Sequence, residues 1–292
     1  MKSTDHNDAL RSMALLYTLI ALGLTVLTAV LGALSVMLCY DSSIGYYARG
    51  AVLPTVLSVV CVASVVFFAV FAILRFRHRD VAYAKNPSLA VRITAIASAL
   101  AALFLAITDL RSGASILSLL LGLGACLYFL LIATKNATPA LSLAFGVCAI
   151  FRWIIAIAIS YRDIFLPMNS PEKVWLHLAA VAGIFFLISE LRALIAKPYT
   201  ATWFFATASA TLLSATAAVI MLAGKLANRF YSDVSIVFAT LFLFVAAYAG
   251  ARLVSVALCP KPEELPEEKE IEEIEEIEES ETTEKTEETE EE

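Results

Sequence analysis

The stretch that decides the fold runs from Ala51 to Leu74 and reads AVLPTVLSVVCVASVVFFAVFAIL. It contains no charged residue. A hydrocarbon core of about 30 Å is crossed by a helix of roughly 20 apolar residues, so this stretch is long enough to span a bilayer. A barrel strand would alternate apolar and polar side chains, whereas here the apolar residues are continuous. The stretch therefore predicts a transmembrane helix.

Seven further stretches of the same kind predict that the chain crosses the membrane eight times. Of its 292 residues, 60% are apolar and 16% are charged, and the mean hydropathy is +0.80. Soluble domains are about 45–50% apolar and about 25% charged, so the composition excludes a water-soluble enzyme. The predicted fold class is an all-α polytopic integral membrane protein with spans at 14–39, 51–74, 91–110, 115–134, 139–160, 174–196, 203–224 and 234–257.

Charge separates a basic body from an acidic C-terminal segment. Residues 261–292 hold 18 Glu and three Lys, a net charge of −15, which leaves +9 for residues 1–260. A Glu-rich segment with few apolar residues is typical of disordered chain. We therefore expect an N-terminal segment (1–13), an eight-helix domain (14–257) and a disordered tail (258–292). The tail would be available to a basic partner protein.

The basic residues near the span ends predict the orientation. With eight spans both termini lie on one side, and that side carries eleven Lys and Arg residues against six on the other. Because short cytosolic loops are enriched in Lys and Arg, both termini are expected in the cytosol. Most of the excess comes from the connection between Arg75 and Arg92. The expected location is the cell (plasma) membrane, with the lipid bilayer as the first partner.

Two stripes of small residues suggest an internal repeat. Small residues four apart let helix backbones approach closely in a membrane. The hypothesis is a parallel repeat of four plus four spans, with spans 3 and 7 packed against each other in the interior. The alternative is that Ala-rich helices produce such stripes by chance. The stripes are Thr94, Ser98, Ala102 and Ala106 in span 3, and Ala206, Ala210, Ser214 and Ala218 in span 7.

Ionisable side chains within the spans are the candidate binding residues, because each is costly in a bilayer. Arg152 lies near the centre of span 5, and its long side chain is expected to reach Asp109 at the end of span 3. Glu190 in span 6 is expected to pair with Arg252 in span 8. His177, near the start of span 6, could titrate near neutral pH. A purely structural role in packing and anchoring stays open for all five.

Motifs for other chemistry are missing from the sequence. There is no phosphate loop, His-Glu-x-x-His or Cys-x-x-Cys motif, and the five cysteines follow no spacing rule. We therefore expect no metal site, no cofactor, no nucleic-acid partner and no enzyme activity. Two classes of function stay open. One is a carrier or permease-like protein for a small solute, with Arg152 meeting an anionic one. The other is a non-catalytic membrane scaffold or accessory subunit that recruits a partner through its acidic tail.

Overall fold

The computed structural model describes residues 2–77, 87–111, 115–134, 138–162, 167, 169–195, 199–230 and 234–258, with side chains from residue 11 onward except at 234 and 235. The acidic tail from residue 259 and most of the connection between Arg75 and Arg92 lie outside the described residues.

Eight helices long and apolar enough to cross a bilayer are present in the described part of the chain, which confirms a multi-pass, all-α membrane protein. Their ends agree with the predicted spans to within a few residues, except that the first helix already begins at Lys2. The helices are α1 (Lys2–Cys39), α2 (Val52–Phe76), α3 (Leu89–Arg111), α4 (Ile116–Ala133), α5 (Pro139–Arg162), α6 (Pro171–Leu194), α7 (Thr200–Leu226) and α8 (Val234–Leu258).

Local sequence explains several of the helix ends. Ser115 and Ser170 are the N-caps of α4 and α6, and each side chain accepts a hydrogen bond from the backbone N–H three residues later. Pro171 follows Ser170 at the first helical position, where its missing N–H costs nothing. Asn228 adopts a positive φ of 53° just beyond α7, a conformation that ends helices.

A short hairpin with two residues in each strand follows α1, and the sequence analysis did not predict it. Strands β1 (Tyr40–Asp41) and β2 (Tyr46–Tyr47) pair antiparallel. Asp41 accepts hydrogen bonds from the Ser43 hydroxyl at 2.6 Å and from the Ser43 backbone N–H at 2.9 Å. These bonds hold the pKa of Asp41 below its usual value. Gly45 supplies the positive φ of 75° that closes the turn.

Helices α3 to α8 pack as a closed ring, each on its neighbour in sequence, and α8 packs back on α3. Helix α1 packs outside this ring on α7 and α8, and α2 packs on α1 and α7. Successive spans run in opposite directions. We therefore call the end that holds the C-termini of α1, α3, α5 and α7 the Asp109 end, and the opposite end the Glu190 end.

Aromatic side chains fill the middle of the ring. Trp153 of α5 stacks on Phe242 of α8, with ring centroids 5.1 Å apart. Tyr248 of α8 contacts Phe129 of α4 at 5.5 Å and Phe186 of α6 at 5.8 Å. The centre of the bundle is therefore a packed core and not an open channel.

Small residues bring particular helix pairs together. A Cβ on Gly122 of α4 would lie 2.9 Å from the Cβ of Ala106 on α3, so only glycine fits at that crossing. On the other side of α3, the Ser98 hydroxyl donates to the carbonyl of Phe244 on α8 at 3.0 Å. Between α1 and α7, the hydroxyls of Thr28 and Thr216 are hydrogen-bonded at 2.8 Å. Such interhelical polar contacts replace the hydrophobic drive that lipid cannot supply.

The expected packing of α3 on α7 is wrong. In the ring α8 separates these two helices, α3 directs its small side chains to α4 and α8, and α7 packs on α1, α2, α6 and α8. A parallel repeat of four plus four would need α1 and α5 in equivalent places, yet α5 belongs to the ring and α1 lies outside it. Small stripes allow close approach but do not select the partner helix.

Candidate functional site

The first predicted ion pair is present at the Asp109 end of the ring. Arg152 lies close to the midpoint of α5, and its Nη2 donates to Oδ2 of Asp109 at 2.7 Å. The hydroxyl of Ser118, in the first turn of α4, donates to the same oxygen at 2.8 Å. Asp109 stands two residues before the end of α3, and its side chain is 16% exposed. The structure therefore confirms the pairing that the sequence predicts.

Two nitrogens of Arg152, which carry three N–H donors, are unused among the described residues. Its side chain is 5% exposed, yet Nε and Nη1 are buried and have no hydrogen-bond partner among the described protein atoms. A guanidinium carries five N–H donors in a planar fork that matches a carboxylate or phosphate. Buried donors without acceptors are costly, so this arrangement favours an added anion.

A small pocket lies beside Arg152. It contains about 340 Å³ of free space including its open mouth, although its interior has room for roughly one water molecule. Apart from Arg152 its walls are apolar and come from four helices of the ring. They include Ala102 of α3, Gly122 and Ala125 of α4, Trp153 and Ala156 of α5, and Phe238 of α8.

The second predicted pair is present at the Glu190 end. Glu190 of α6 is 0% exposed and Arg252 of α8 is 2% exposed. Nε of Arg252 donates to Oε1 of Glu190 at 3.2 Å, and Nη2 lies 3.2 Å from Oε2. Both carboxylate oxygens therefore engage one guanidinium, which is the strong bidentate geometry. The structure confirms this pairing too.

Two aromatic side chains complete the Glu190 pair. Nε1 of Trp203, in the first turn of α7, donates to Oε1 of Glu190 at 2.9 Å. The Tyr248 hydroxyl, one turn before Arg252 on α8, makes a longer contact of 3.5 Å to Oε2. Trp203 is 4% exposed and is a residue of this site that the sequence did not predict. Its position at the start of the helix that follows Glu190 was the feature of the sequence that could have indicated this contact.

His177 belongs to neither pair. It is half-buried on α6, next to the backbone of Ile157 on α5, and its Nε2 is buried with no hydrogen-bond partner among the described atoms. It lies 13 residues before Glu190, about 20 Å along the helix. Lys173, one turn before it, is 1% exposed, although the sequence places this lysine in a loop. That buried lysine is the second residue that sequence reasoning missed.

No protein family, curated protein or solved structure matches this chain. The functional assignment must therefore come from the site itself.

The described residues offer no group of three His, Cys, Asp or Glu side chains placed to hold a metal ion. Within the same residues, Cys39, Cys61, Cys126 and Cys148 are free thiols. What the described ring does hold is two arginines, each fixed by a carboxylate, one toward each end. An arginine in a water-poor interior binds carboxylate or phosphate groups strongly, because hydrogen bonds between ionised groups are the strongest available there.

Proposed function

We propose that this protein is a non-catalytic carrier of small organic anions and that Arg152 is the residue that contacts the solute. The observation that carries the proposal is the guanidinium of Arg152, which is buried beside a pocket and uses only one of its nitrogens. An ionisable residue within a membrane span is costly and is by default a candidate for a substrate pathway.

The chemistry of the pair favours an anion of carboxylate type. Asp109, which accepts a hydrogen bond from Ser118, binds Nη2 and leaves Nε and Nη1, on different edges of the guanidinium, each available to an oxygen of a solute. The apolar walls around Trp153 and Phe238 suit a short hydrocarbon chain attached to that carboxylate. Because the pocket now admits little more than water, solute entry requires helices of the ring to move apart.

We also propose that both termini face the cytosol of the cell membrane, so that the Asp109 end faces outward. The excess of Lys and Arg on the terminal side supports this orientation. Reporter fusions at both termini and near Arg77 should all report the cytosolic side. A fusion at Ser43 in the hairpin should report the opposite side, and the reverse pattern would overturn the orientation.

A membrane scaffold is the second candidate, and the tail's net charge of −15 favours it. In this function the acidic residues would recruit a basic cytosolic partner, with binding that weakens as salt rises. Deletion of residues 259–292 tests it, because a scaffold of this kind loses its partner in pull-downs. Unchanged recovery of the partner would contradict a recruiting tail and leave the carrier proposal intact.

The carrier is tested by thermal unfolding of the purified protein in detergent with acetate, lactate, succinate, citrate and inorganic phosphate. Choline serves as a cation control. A bound anion at 100 times its dissociation constant stabilises the protein by about 2.7 kcal/mol, so its melting temperature should rise. Uptake of the stabilising anion into proteoliposomes should follow.

Matched variants assign the effect to Arg152. The double substitution Asp109→Asn with Arg152→Gln removes both charges and leaves no buried ion unpaired. It should fold and lose the anion response. Arg192→Gln removes a cation that stacks on Tyr199 at the surface, 4.2 Å from the ring centroid, and should keep the response. A folded double variant that responds like wild type would refute the role of Arg152.

A further inference from the structure

The ring of six helices consists of two successive groups of three. The first group is α3–α4–α5 and the second is α6–α7–α8. In the first group α4 packs on both α3 and α5, and in the second group α7 packs in the same way on both α6 and α8. The two groups contact each other twice, at α5–α6 and at α8–α3. Since each group crosses the membrane three times, the second group enters from the opposite end. An inverted arrangement of this kind relates the two ends of a carrier to each other.

A short sequence signature recurs at the end of the first helix of each group. Residues 108–111 read Thr-Asp-Leu-Arg at the end of α3, and residues 189–192 read Ser-Glu-Leu-Arg near the end of α6. The hydroxyl ahead of each acid donates to a carbonyl about one turn earlier, that of Thr108 to Leu105 three residues back and that of Ser189 to Phe185 four residues back. The two acids therefore occupy matching places in chain and structure.

The partners of the two acids match as well. Each carboxylate accepts a hydrogen bond from a side chain in the first turn of the second helix of its group, Ser118 in α4 and Trp203 in α7. Each also pairs with an arginine of the third helix, Arg152 in α5 and Arg252 in α8. In both halves the three helices contribute an acid, a hydrogen-bond donor and an arginine, at opposite ends of the ring, although Arg152 lies near the midpoint of its helix and Arg252 near the end of its own.

We infer that Arg252 is a second binding position for the solute anion, equivalent to Arg152, and that Glu190 is the carboxylate that closes it. The inference rests on the proposed carrier function. The two pairs differ in one respect: Glu190 occupies two nitrogens of Arg252, whereas Asp109 occupies one nitrogen of Arg152. The described state is therefore closed at the Glu190 end and prepared for an anion at the Asp109 end. In the exchanged state Asp109 engages its arginine with both oxygens and Arg252 becomes available.

Thiol reactivity at both ends of the ring tests this without a known solute. In a protein whose five native cysteines are replaced by serine, Ala156→Cys reports the Asp109 end, because Ala156 lines the pocket of Arg152. Ala193→Cys reports the Glu190 end, since it lies three residues beyond Glu190 on the same face of α6 and is 6% exposed. Each reporter is modified in proteoliposomes with a water-soluble methanethiosulfonate reagent.

Opening either pair should change the two reporters in opposite directions. Glu190→Gln should raise modification at position 193 and lower it at 156, so that the ratio of the two rates changes by about tenfold, the factor that corresponds to about 1.4 kcal/mol. Asp109→Asn should do the reverse. A rise at 193 with no fall at 156 would show local loosening only and would overturn the inference. Arg252→Lys, which keeps the charge but cannot form the bidentate contact, replaces Glu190→Gln if that variant does not fold.

A solute probe separates this inference from the proposed function. Once an anion such as lactate is found to bind, it should protect position 156 in the parent protein and position 193 in the Glu190→Gln variant. The two reporters could change in opposite directions while no anion of the panel protects either of them. This result would refute the carrier assignment and the binding role of Arg252, and would support only the coupled opening of the two ion pairs. Protection at 156 alone would support the carrier and refute Arg252 as the second position.

Discussion

Removing Arg252 while Glu190 stays in place should be the most destabilising substitution at either pair. Glu190 is fully buried, and Arg252→Leu removes both of its ion-pair contacts. Two hydrogen bonds to a charged group, at about 1.5–3 kcal/mol each, indicate a loss of about 3–6 kcal/mol, which overlaps the roughly 3–5 kcal/mol of other broken buried pairs. Arg152→Leu should cost less, because Asp109 is 16% exposed and keeps the hydrogen bond from Ser118.

A double substitution separates the loss of the pair from the stranded charge. In Glu190→Gln with Arg252→Met, the amide oxygen of glutamine still accepts from Nε1 of Trp203, and methionine fills the volume of the arginine stem. No buried charge remains, so the free energy of unfolding should fall by less than about 1.5 kcal/mol. The single variant Arg252→Leu should therefore be less stable than the double variant.

The free energy of unfolding can be measured by titrating dodecylmaltoside micelles with sodium dodecyl sulfate and following helix content by circular dichroism. Arg192→Leu is the control, because among the described residues this exposed arginine contacts the ring of Tyr199, a cation–π contact worth about 0.5–1 kcal/mol. If Arg252→Leu loses less than about 1 kcal/mol, or if the double variant loses as much as the single one, the carboxylate of Glu190 is not held as a buried charge.

Two further predictions concern the packing of the helices. Gly122→Ala places a Cβ 2.9 Å from that of Ala106 and should lower the free energy of unfolding by about 1–3 kcal/mol. Gly23→Ala is the control and should not lower it, because nothing lies within 4 Å of the added Cβ. Equal stability of the two variants in the detergent titration would contradict the close α3–α4 crossing. A double-mutant cycle with Thr28→Val and Thr216→Val should give a coupling of about 0.6 kcal/mol for the α1–α7 hydrogen bond, and zero coupling would remove it.

The spans and both ion pairs follow from the sequence because their physical causes are local and strong. Continuous apolar stretches such as 51–74 have one stable arrangement in lipid, a helix. Arg152 and Glu190, within otherwise apolar helices, must each find a counter-charge, and few candidates exist at a matching depth. Asp109 and Arg252 were therefore identifiable without knowledge of the helix packing.

The packing of the helices against one another could not be predicted from the sequence, because small residues do not specify which helix they contact. Ala106 packs equally well on any helix that presents a glycine, and here Gly122 of α4 provides it. The matching of Thr108-Asp109 with Ser189-Glu190 was visible in the sequence, yet four residues acquire meaning only when their partners are seen to match. Trp203 was not predicted as part of the site because an indole near a helix end fits both a membrane interface and a buried hydrogen bond.

The similarity of the two ion pairs also limits the free-energy difference between the described state and the exchanged state. Each state contains one bidentate and one single-contact pair, so the states differ mainly in the neighbouring donors. At the Glu190 end the indole of Trp203 donates to the carboxylate of Glu190 at 2.9 Å. This hydrogen bond, worth about 1 kcal/mol, contributes a factor of about five to closure at the Glu190 end, a bias that a solute can readily reverse.

This bias gives a prediction for Trp203 that differs from simple destabilisation. Trp203→Phe keeps the aromatic contact with Phe204 but removes the donor to Glu190, so the ratio of the two states should shift about fivefold toward the exchanged state. Modification of Cys at position 193 should rise and modification at 156 should fall, and the ratio of the two rates should change about fivefold. Phe205→Leu, which removes a ring contact with Phe185 without touching either pair, is the matched control and should leave both rates unchanged. If Trp203→Phe also leaves both rates unchanged, the indole hydrogen bond does not bias the exchange, and the asymmetry between the two ends has another cause.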